Sequence, residues 1–445
     1  MKEAPPDYFL ADLPPDAVLT PGMITEACRN LKFNRAKFLA ERNTAGLIQI
    51  LSGLAEDWLA PNFPFRQAGL SQSPFPPATL ARGLDAFFSQ LTRDNLENLL
   101  EQELGHPLRL DQMIGSQTRA IAHGPELLVH ITAGNVPAPA FMSIVLGLLA
   151  RSAQFVKCAS GTSFLIRQFA HSIYHRDPKL GACIEIAEWP GGRTDLEQPL
   201  FEAADCVTAT GTDETLAQIR KRLPPHVRFV GYGNRVSFGY VAHEMLTRHG
   251  ARDLAAKAAL DVIAWNQLGC LSPHLIYAEM GGSIMPEQFA AMLAEELAKA
   301  ETSEPRGSIS VEEAAQIASR RSFYQVRAAA SPETQIWQST DSTAWTVVYE
   351  HDAQFQLSCL NRFVFVKPVR ELSEALQSAA SVKGKVSTIG LAAPRQRAEQ
   401  LALELARWGA TRICPIGHMQ NPPLTWRHDG RPALGDLVTW TDWES

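Results

Sequence analysis

A cysteine in a short turn is the strongest candidate for chemistry in this sequence. Cys270 follows Gly269 at the end of a helical stretch and precedes Pro273 and a predicted strand, which places it on a sharp turn at the edge of a sheet. A thiolate there can attack a carbonyl carbon and form a covalent intermediate. A free cysteine is also commonly a small buried hydrophobic residue. That is our interpretation of five of the other six cysteines, whereas Cys158 adjoins a possible cofactor loop and stays ambiguous.

Three further positions have groups suited to binding, and each also has a simpler structural explanation. Asn135 follows a predicted strand, where asparagine is a common turn residue. Lys157 ends the next strand and could hold a ribose or a phosphate, or be solvated. Gly211 and Thr212 open a helix after another strand. Free backbone N–H groups at such a helix start bind anions, but threonine is also an ordinary N-cap.

Two motifs resemble known binding motifs, but we assign a binding function to neither. Residues 231–236 begin like a glycine-rich dinucleotide fingerprint, but the sixth position is Val236 and no long helix follows. His171 and His175 have the spacing of metal ligands on a helix. No glutamate follows His171, so we interpret the pair as two histidines on a solvated helix face and predict no metal site.

Composition indicates an enzyme-sized globular chain. Of the 445 residues, 45% are hydrophobic and 20% are charged, with a net charge of -6, which argues against a nucleic-acid binder. Seven cysteines without a CxxC pair predict neither a disulfide framework nor a zinc finger. No secretory signal is visible at the start. The most apolar stretch, 138–150, is too short to span a bilayer, so we expect a cytoplasmic protein.

Patterning predicts helices first and alternating strands and helices afterwards. Apolar residues recur at helical spacing over 23–39, 44–59 and 80–104, and we interpret the proline-rich segment 61–77 as a linker rather than a lid. Predicted strands then alternate with helices, which implies a parallel, doubly wound sheet. These strands cover 127–131, 154–157, 183–188, 206–209, 274–277 and 363–366. Residues 302–350 look less regular, and 413–436 look like a proline-rich tail. Parallel sheets bind ligands beyond the carboxyl ends of their strands.

The order of these motifs resembles the aldehyde dehydrogenase superfamily over roughly residues 100–445. An Asn-x-Pro loop after a strand, a strand-end lysine, a Gly-Thr helix start and then a cysteine occur in that sequence. The resemblance implies that Cys270 is the nucleophile and that Asn135 and the Cys270 backbone N–H form an oxyanion hole. It further implies a dinucleotide site, to which it assigns Thr132, Lys157, Ser160, Gly211, Thr212 and Gly233.

The same resemblance implies a domain organisation. It predicts a helical N-terminal part (1–108) packing on a dinucleotide-binding α/β domain (125–236), followed by a catalytic α/β domain (237–424). Segments 109–124 and 425–445 would be oligomerisation strands. They alternate polar and apolar residues over 116–124 and 425–443, and nothing in their own domain is an obvious partner. We therefore expect them to pair across subunits of a homodimer or homotetramer.

Local sequence narrows the resemblance to fatty acyl-CoA reductases of the LuxC type. The segments that carry this similarity are 127–137, 269–274 and Gln420-Asn421-Pro422-Pro423. Members of that family reduce an activated long-chain acyl group to an aldehyde with NADPH. In luminous bacteria they work beside an acyl-transferring and an acyl-activating partner, so the resemblance implies such partners here.

Three departures from the general superfamily refine the prediction. Hydrolytic relatives carry a general-base glutamate in a stretch that is Val230-Gly231-Tyr232-Gly233-Asn234 here, so water activation lacks its base. NAD-preferring relatives place a glutamate where Ser160 stands, and a serine would neither repel nor crowd a 2′-phosphate. The glutamate that holds the nicotinamide ribose has no clear match, and Gln356 is the nearest polar candidate.

We therefore predict an NADPH-dependent reductase of a fatty acyl-CoA, or of another acyl thioester, that works through an acyl-cysteine. Two alternatives stay open at this point. One is an aldehyde dehydrogenase that oxidises aldehydes, against which the missing base argues. The other is a non-catalytic acyl-binding subunit of a reductase complex, which Cys270, Asn135 and Lys157 together make less attractive.

Overall fold

A helical segment opens the fold. The computed structural model describes residues 9–14 and 16–444, so the first eight positions of the predicted N-terminal part lie outside the described residues. The helices are α1 (Pro21–Phe38), α2 (Thr44–Leu59), α3 (Pro64–Gln72), α4 (Pro77–Phe88) and α5 (Arg93–Leu104). Thr20, Asn43 and Thr92 cap α1, α2 and α5 by accepting a backbone N–H of the first turn.

The proline-rich segment 61–77 is not the linker that its composition predicted. It contains α3 and the first residue of α4. Pro64 and Pro77 stand at the first helical positions, where the missing N–H has no partner to lose and the fixed φ suits a helix. These prolines therefore start helices instead of preventing them.

The remaining elements form two layered α/β units and a two-stranded ribbon. The strands are β1 (Thr118–His123), β2 (Leu127–Ile131), β3 (Ala153–Cys158), β4 (Ile184–Glu188), β5 (Cys206–Thr210), β6 (Arg228–Tyr232), β7 (Val236–Val241), β8 (Pro273–Glu279), β9 (Thr334–Gln338), β10 (Thr346–Glu350), β11 (Phe363–Val369), β12 (Val386–Ala392), β13 (Ile413–Pro415) and β14 (Thr439–Glu444). The helices are α6 (Ala138–Leu149), α7 (Ser163–Arg176), α8 (Pro178–Gly181), α9 (Thr194–Ala203), α10 (Asp213–Arg222), α11 (Ala251–Ile263), α12 (Pro286–Ser303), α13 (Val311–Ala330), α14 (Leu372–Ser378) and α15 (Arg395–Trp408).

The first sheet is parallel throughout, in the order β4-β3-β2-β5-β6. Helices α6 and α7 belong to the same apolar core as the N-terminal helices α2, α4 and α5, whereas α1 and α9 share the core on the other face. Residues of β2 and β3 are buried on both sides, as expected when helices cover both faces. The predicted doubly wound sheet is confirmed, with its loops at the carboxyl edge of the strands.

The second sheet has seven strands in the order β13-β12-β7-β8-β11-β10-β9. Its pairs are parallel except for β9, which runs antiparallel to β10. The expectation of an irregular segment over 302–350 is wrong, because it holds α13, β9 and β10. Helix α13 escaped the pattern because it buries only Ile317, Arg321 and Tyr324, so it has no apolar stripe.

The ribbon pairs two segments that are far apart in the chain. Strands β1 and β14 are antiparallel, with Thr118 opposite Glu444. The two segments, for which we expected no obvious partner in their own domain, therefore pair with each other. Trp440 and Trp443 on the ribbon remain 46% exposed, and pairing of the ribbon across subunits stays a prediction. Within the described residues, no helix combines the length and apolarity needed to cross a membrane.

Candidate active site

An apolar cleft lies where the N-terminal helices, the first sheet and the second sheet meet. It encloses about 1210 Å³, including the part open to solvent. Ala86 and Phe87 of α4 form one wall and Met142 and Leu146 of α6 another. The turn around Cys270 forms the base, and residues 420–433 of the tail close the remaining side. A cleft lined mainly by apolar side chains suits an apolar ligand.

A left-handed turn presents Cys270 to this cleft. Trp265, Asn266 and Gln267 follow α11 with φ of 52°, 52° and 65°, a conformation that costs energy for residues other than glycine. The chain then turns back so that the Ser272 N–H donates to the Gly269 carbonyl at 3.0 Å. Cys270 lies within this second turn, three residues before the start of β8.

Buried hydrogen bonds hold that turn in place. The Gln267 amide nitrogen donates to the carbonyls of Pro273 and Phe363, each at 2.8 Å, and its oxygen accepts the Phe363 N–H at 2.8 Å. Arg362 Nε donates to Asn266 Oδ1 at 3.1 Å. Leu360, Asn361 and Arg362 form a second left-handed turn. Two strained turns thus stabilise each other, and the position of the cysteine follows from that contact.

A glycine lets α4 approach the same turn. A Cβ on Gly83 would lie 2.1 Å from the ring of Trp265, so this position cannot carry a side chain without moving the tryptophan. Phe75 packs edge-on against the same ring at 5.2 Å. The N-terminal helices are therefore part of the cleft and not a separate attachment.

The Cys270 side chain is partly exposed and is a thiol at neutral pH. Burial raises the pKa of Cys270 to about 11, and the negative charge of Asp429 adds to this rise. Its own backbone N–H, the Ser387 hydroxyl and the Arg235 charge act in the opposite direction. Attack by this sulfur therefore requires a group that removes its proton.

Asn135 lies beside the cysteine turn. Its side-chain amide donates to the carbonyl of Leu268 at 2.8 Å, two residues before Cys270, and the side chain is exposed. An amide has a second N–H, which remains for a ligand oxygen. The structure thus brings the predicted oxyanion donor and the predicted nucleophile together.

The other cysteines are poorer nucleophiles. Cys158 is fully buried in β3, and burial raises its pKa to about 12, which removes the ambiguity left by its position beside a loop. Cys28, Cys183 and Cys206 are buried as well, and Cys359 and Cys414 are partly exposed. Neither of these last two lines the cleft.

Lys157 and Thr132 lie at the carboxyl edge of the first sheet. The Thr132 N–H donates to the Lys157 carbonyl at 3.0 Å, and the lysine ammonium stands 5.8 Å from the centre of the Trp189 ring. Lys157 is buried, and burial lowers its pKa although Glu197 and Glu188 oppose the shift. A buried ammonium at this edge has a charge to offer to a ribose or a phosphate.

Gly211, Thr212 and Gly233 surround the start of α10. Thr212 caps the helix and accepts the Thr215 N–H at 3.1 Å. Gly233 is packed closely, since a Cβ there would lie 2.2 Å from a carboxylate oxygen of Asp213. That carboxylate accepts the Asn234 N–H at 3.1 Å and lies 3.2 Å from the Lys385 ammonium. N–H groups at a helix start can bind a phosphate, although Asp213 and Glu214 put negative charge in this first turn.

Taken together, this edge fits a dinucleotide. It combines a lysine ammonium, threonine hydroxyls and a helix start, all at the carboxyl ends of β2, β3 and β5, which is where such sheets bind nucleotides. Ser160 is exposed in the loop after β3. Gln356 lies away from this edge in the connection from β10 to β11 and accepts a hydrogen bond from the Tyr324 hydroxyl at 2.8 Å.

The sequence patterns did not predict that a carboxylate lies next to Ser160. Glu188 ends β4 and accepts the N–H groups of Gly161 at 2.6 Å and Ser163 at 3.1 Å. It therefore occupies the N-terminus of α7, beside the position expected to lack negative charge. The sequence does contain a signal for this carboxylate, because an acidic residue at the end of a strand in such a sheet is typical of ribose binding.

The sequence patterns also did not predict that part of the C-terminal tail lies beside Cys270 in the cleft. Trp426 and His428 line the cleft with Cys270, and the His428 ring stacks on Tyr232 with a centroid distance of 4.3 Å. No periodicity or motif in the proline-rich segment indicates this position. It arises from a contact between β6 and a part of the chain almost two hundred residues later.

The histidine pair on α7 differs from the prediction of a solvated face. His175 is exposed, but His171 is buried and its Nε2 lies 2.9 Å from Asp12. One group in the described part of the chain, His243 with Glu244 and Glu279, is close enough to hold a metal ion. Arg397 already occupies it, with an N–H 2.7 Å from Glu279, so these carboxylates have a cation partner.

Comparison with known proteins gives one family and one fold. Residues 39–440 match the family model described as acyl-CoA reductase (LuxC). The chain is 24% identical to a long-chain acyl-protein thioester reductase from Photorhabdus laumondii over 359 residues, which cover 79% of this chain and 71% of the relative. A reductase of the same name from Aliivibrio fischeri is 25% identical, with 79% and 71% covered.

Solved structures with a similar fold are aldehyde dehydrogenases. An NAD-dependent benzaldehyde dehydrogenase from Corynebacterium glutamicum superimposes with a TM-score of 0.70 at 13% identity, covering 96% of this chain and 91% of that one. A glyceraldehyde-3-phosphate dehydrogenase from Methanocaldococcus jannaschii, solved with NADP, gives 0.69 at 12% identity, with 96% and 95% covered. The likeness confirms the predicted fold.

Proposed function

This chain belongs to the acyl-CoA reductase (LuxC) family, and we propose that it reduces a long-chain acyl thioester to the aldehyde with NADPH through an acyl-Cys270 intermediate. It is an oxidoreductase that converts an acyl group to an aldehyde. The observation that carries the finer proposal is the apolar cleft lined by Cys270, with Asn135 held against the turn that carries this cysteine.

The first half of the proposed reaction is acyl transfer. The Cys270 sulfur attacks the thioester carbonyl, and the carbonyl oxygen gains negative charge. In this proposal the Asn135 amide and the Cys270 backbone N–H stabilise this charge, which typically accelerates such reactions by about 10²–10³-fold per donor. The donor thiol then leaves and the acyl group remains on Cys270.

The second half is reduction of the acyl-cysteine. When bound, the nicotinamide supplies a hydride to the acyl carbon. Lys157, Thr132, Thr212 and the N–H groups of the first turn of α10 would hold the rest of the dinucleotide, because these residues lie at the carboxyl edge of the first sheet. The same oxyanion donors serve the thiohemiacetal on Cys270, whose collapse releases the aldehyde and regenerates the thiol.

The composition of the cleft supports reduction over oxidation of aldehydes to acids. Among the described residues that line it, none carries a carboxylate, and the stretch that matches the general-base glutamate of hydrolytic relatives is Gly231-Tyr232-Gly233-Asn234 here. Water therefore lacks the carboxylate base of those relatives, and a positioned base usually contributes about 10²–10⁴-fold. A thiol nucleophile needs only to lose its proton, so transfer to and from CoA survives.

The proposal is tested with radiolabelled acyl-CoA in the absence of NADPH. Label should appear on the peptide that contains Cys270, persist in buffer, and leave as acyl-CoA when CoA is added. Cys270→Ser is the matched control and should take up no label that CoA can release. Free fatty acid forming without CoA as fast as acyl-CoA forms with it would contradict the proposal. An acylated carrier protein offered in place of acyl-CoA identifies the preferred donor.

A further inference from the structure

We propose that His428 carries the proton in the acyl-transfer step. It accepts the proton of the Cys270 thiol as the sulfur attacks and delivers it to the departing thiolate. The inference rests on the proposed function and adds a catalytic residue to it. The bond between Cys270 Sγ and the carbonyl carbon forms, the carbon–sulfur bond of the donor breaks, and the proton moves from one sulfur to the other. Nothing is oxidised or reduced in this step.

Elimination singles out His428 among the residues of the cleft. The titratable side chains that line it within the described part of the chain are Cys270, Tyr232 and His428. Burial raises the pKa of Tyr232 to about 12, so the phenol stays protonated and cannot accept. Burial lowers the pKa of His428, so its imidazole is neutral at pH 7 and has a free lone pair.

The ring is held by its neighbours. His428 stacks on Tyr232, with a centroid distance of 4.3 Å and an angle of 11° between the planes. Trp426 packs against the same ring at 4.7 Å. Arg431 fastens the tail to β6 by donating to the Gly231 carbonyl at 2.8 Å. The imidazole thereby lies on the stretch that carries the catalytic glutamate in hydrolytic relatives, although it comes from another part of the chain.

A buried charge links the histidine to the cysteine. The Asp429 side chain is buried, and its Oδ1 lies 4.0 Å from His428 Nε2. Its negative charge raises the pKa of both Cys270 and His428. This charge therefore disfavours a Cys270 thiolate before the attack and favours the His428 imidazolium that forms during transfer. We therefore expect the proton to move as the sulfur attacks.

Positive groups limit this effect. Arg235 Nε lies 3.1 Å from Asp429 Oδ2, and the charges of Arg235 and Arg431 lower the pKa of His428. Burial and these opposing charges together leave His428 unprotonated at neutral pH. The charge of Asp429 stabilises its imidazolium once it has accepted the proton.

The experiment measures the rate of acyl transfer to Cys270 in a single turnover, by the release of free CoA thiol, across pH 6 to 10. His428→Gln should slow transfer about 10²–10⁴-fold at pH 7, the usual contribution of a positioned base. The deficit should shrink as pH rises towards the pKa of Cys270, because thiolate then forms without help. Added imidazole should restore part of the rate. His249→Gln, an exposed histidine, is the matched control and should behave as the unmodified protein.

Two further variants separate catalysis from packing. His428→Phe keeps an aromatic ring on Tyr232 and should lose as much rate as His428→Gln while retaining the thermal midpoint and NADPH affinity of the unmodified protein. Asp429→Asn should move the acidic limb of the pH profile to lower pH, because the charge that raises the pKa of His428 is gone. A pH-independent loss in His428→Gln, or no loss at all, would overturn the inference.

The outcomes distinguish the two proposals. If the unmodified protein never forms acyl-Cys270, the proposed function fails. If it does, and His428→Gln forms the same adduct at the same rate, only the role of His428 fails.

Discussion

The two sheets present their functional residues in different ways. Cys270 stands on a turn of left-handed residues that buried side chains hold, with Gln267 making hydrogen bonds at 2.8 Å to both Pro273 and Phe363. At the first sheet, Ser160 and Thr212 are exposed and lie on short loops, whose hydrogen bonds include that from Thr215 to Thr212 and that from Gly161 to Glu188. The proposed nucleophile is therefore held by buried side chains, whereas the proposed cofactor edge is built largely from exposed loops.

This difference matches the tasks of the two regions. Attack on a carbonyl requires the sulfur and the oxyanion donors to be placed within a fraction of an ångström, and a network with long sequence separations provides that rigidity. A dinucleotide is recognised by several separate contacts, so a loop can adjust to it. Substitutions in the two regions should therefore differ in the property that they change as well as in the size of the effect.

The largest effect is expected at the nucleophile. Cys270→Ala should abolish aldehyde formation and the covalent acyl adduct, because no other cysteine lines the cleft among the described residues. Dinucleotide affinity should be unchanged, since the cofactor edge belongs to the other sheet. Mass spectrometry of the acylated peptide and fluorescence titration with NADPH measure the two properties. An adduct on Cys359 or Cys414 would contradict the assignment.

The oxyanion donor should come next. Asn135→Ala is expected to slow acyl transfer about 10²–10³-fold with little change in acyl-CoA binding, because the amide is needed when charge develops. Asn135→Asp keeps the size and should be at least as slow, since a carboxylate repels the oxyanion. Single-turnover CoA release measures both variants. Equal rates in Asn135→Ala and the unmodified protein would exclude this role.

Breaking the network behind the nucleophile should affect stability as well as rate. Gln267→Ala removes three buried hydrogen bonds, two to the carbonyls of Pro273 and Phe363 and one from the Phe363 N–H, which should lower the free energy of unfolding by about 3 kcal/mol. Urea denaturation measures the change. Gln112→Ala, at an exposed position, is the matched control. A stable Gln267→Ala variant with full activity would show that the turn holds its shape unaided.

The cofactor edge should give the smallest effect. The proposal puts the 2′-phosphate beside Ser160, and Glu188 accepts the neighbouring N–H groups of Gly161 and Ser163. Glu188→Gln should therefore tighten NADPH about fivefold and leave NADH nearly unchanged, as expected for one charge in a wet site. Ser160→Glu should shift preference towards NADH. Titration calorimetry measures both, with the exposed Glu202→Gln as control. Equal affinity of the unmodified protein for NADPH and NADH would count against the proposed preference.

The features that depend on local sequence patterns could be predicted from the sequence. Asn135 and Thr212 lie in loops between a strand and a helix, as predicted, and Lys157 lies near the end of β3. Their proximity to a common edge follows from the parallel sheet. Their roles in binding and catalysis stay predictions until the variants above are measured.

Contacts between distant segments could not be predicted in this way. His428 reaches the cleft because its ring meets Tyr232, and no periodicity in the tail encodes that meeting. The pairing of β1 with β14 has the same character. Helix α13 is a third case, because Arg321 is buried through hydrogen bonds to Thr346 and Trp345 and not through apolar spacing.

The tail also determines when the cleft can exist during synthesis. Glu103 in α5 accepts the N–H groups of Leu434 at 3.2 Å and Gly435 at 3.1 Å, and Leu434 belongs to the same apolar core as α5. A ribosome makes these helices first and their cover last. The nascent chain must keep an apolar surface open through more than three hundred further residues, a situation in which chains fold slowly and bind chaperones. Catalytic competence should therefore appear in one late step, after the tail has docked.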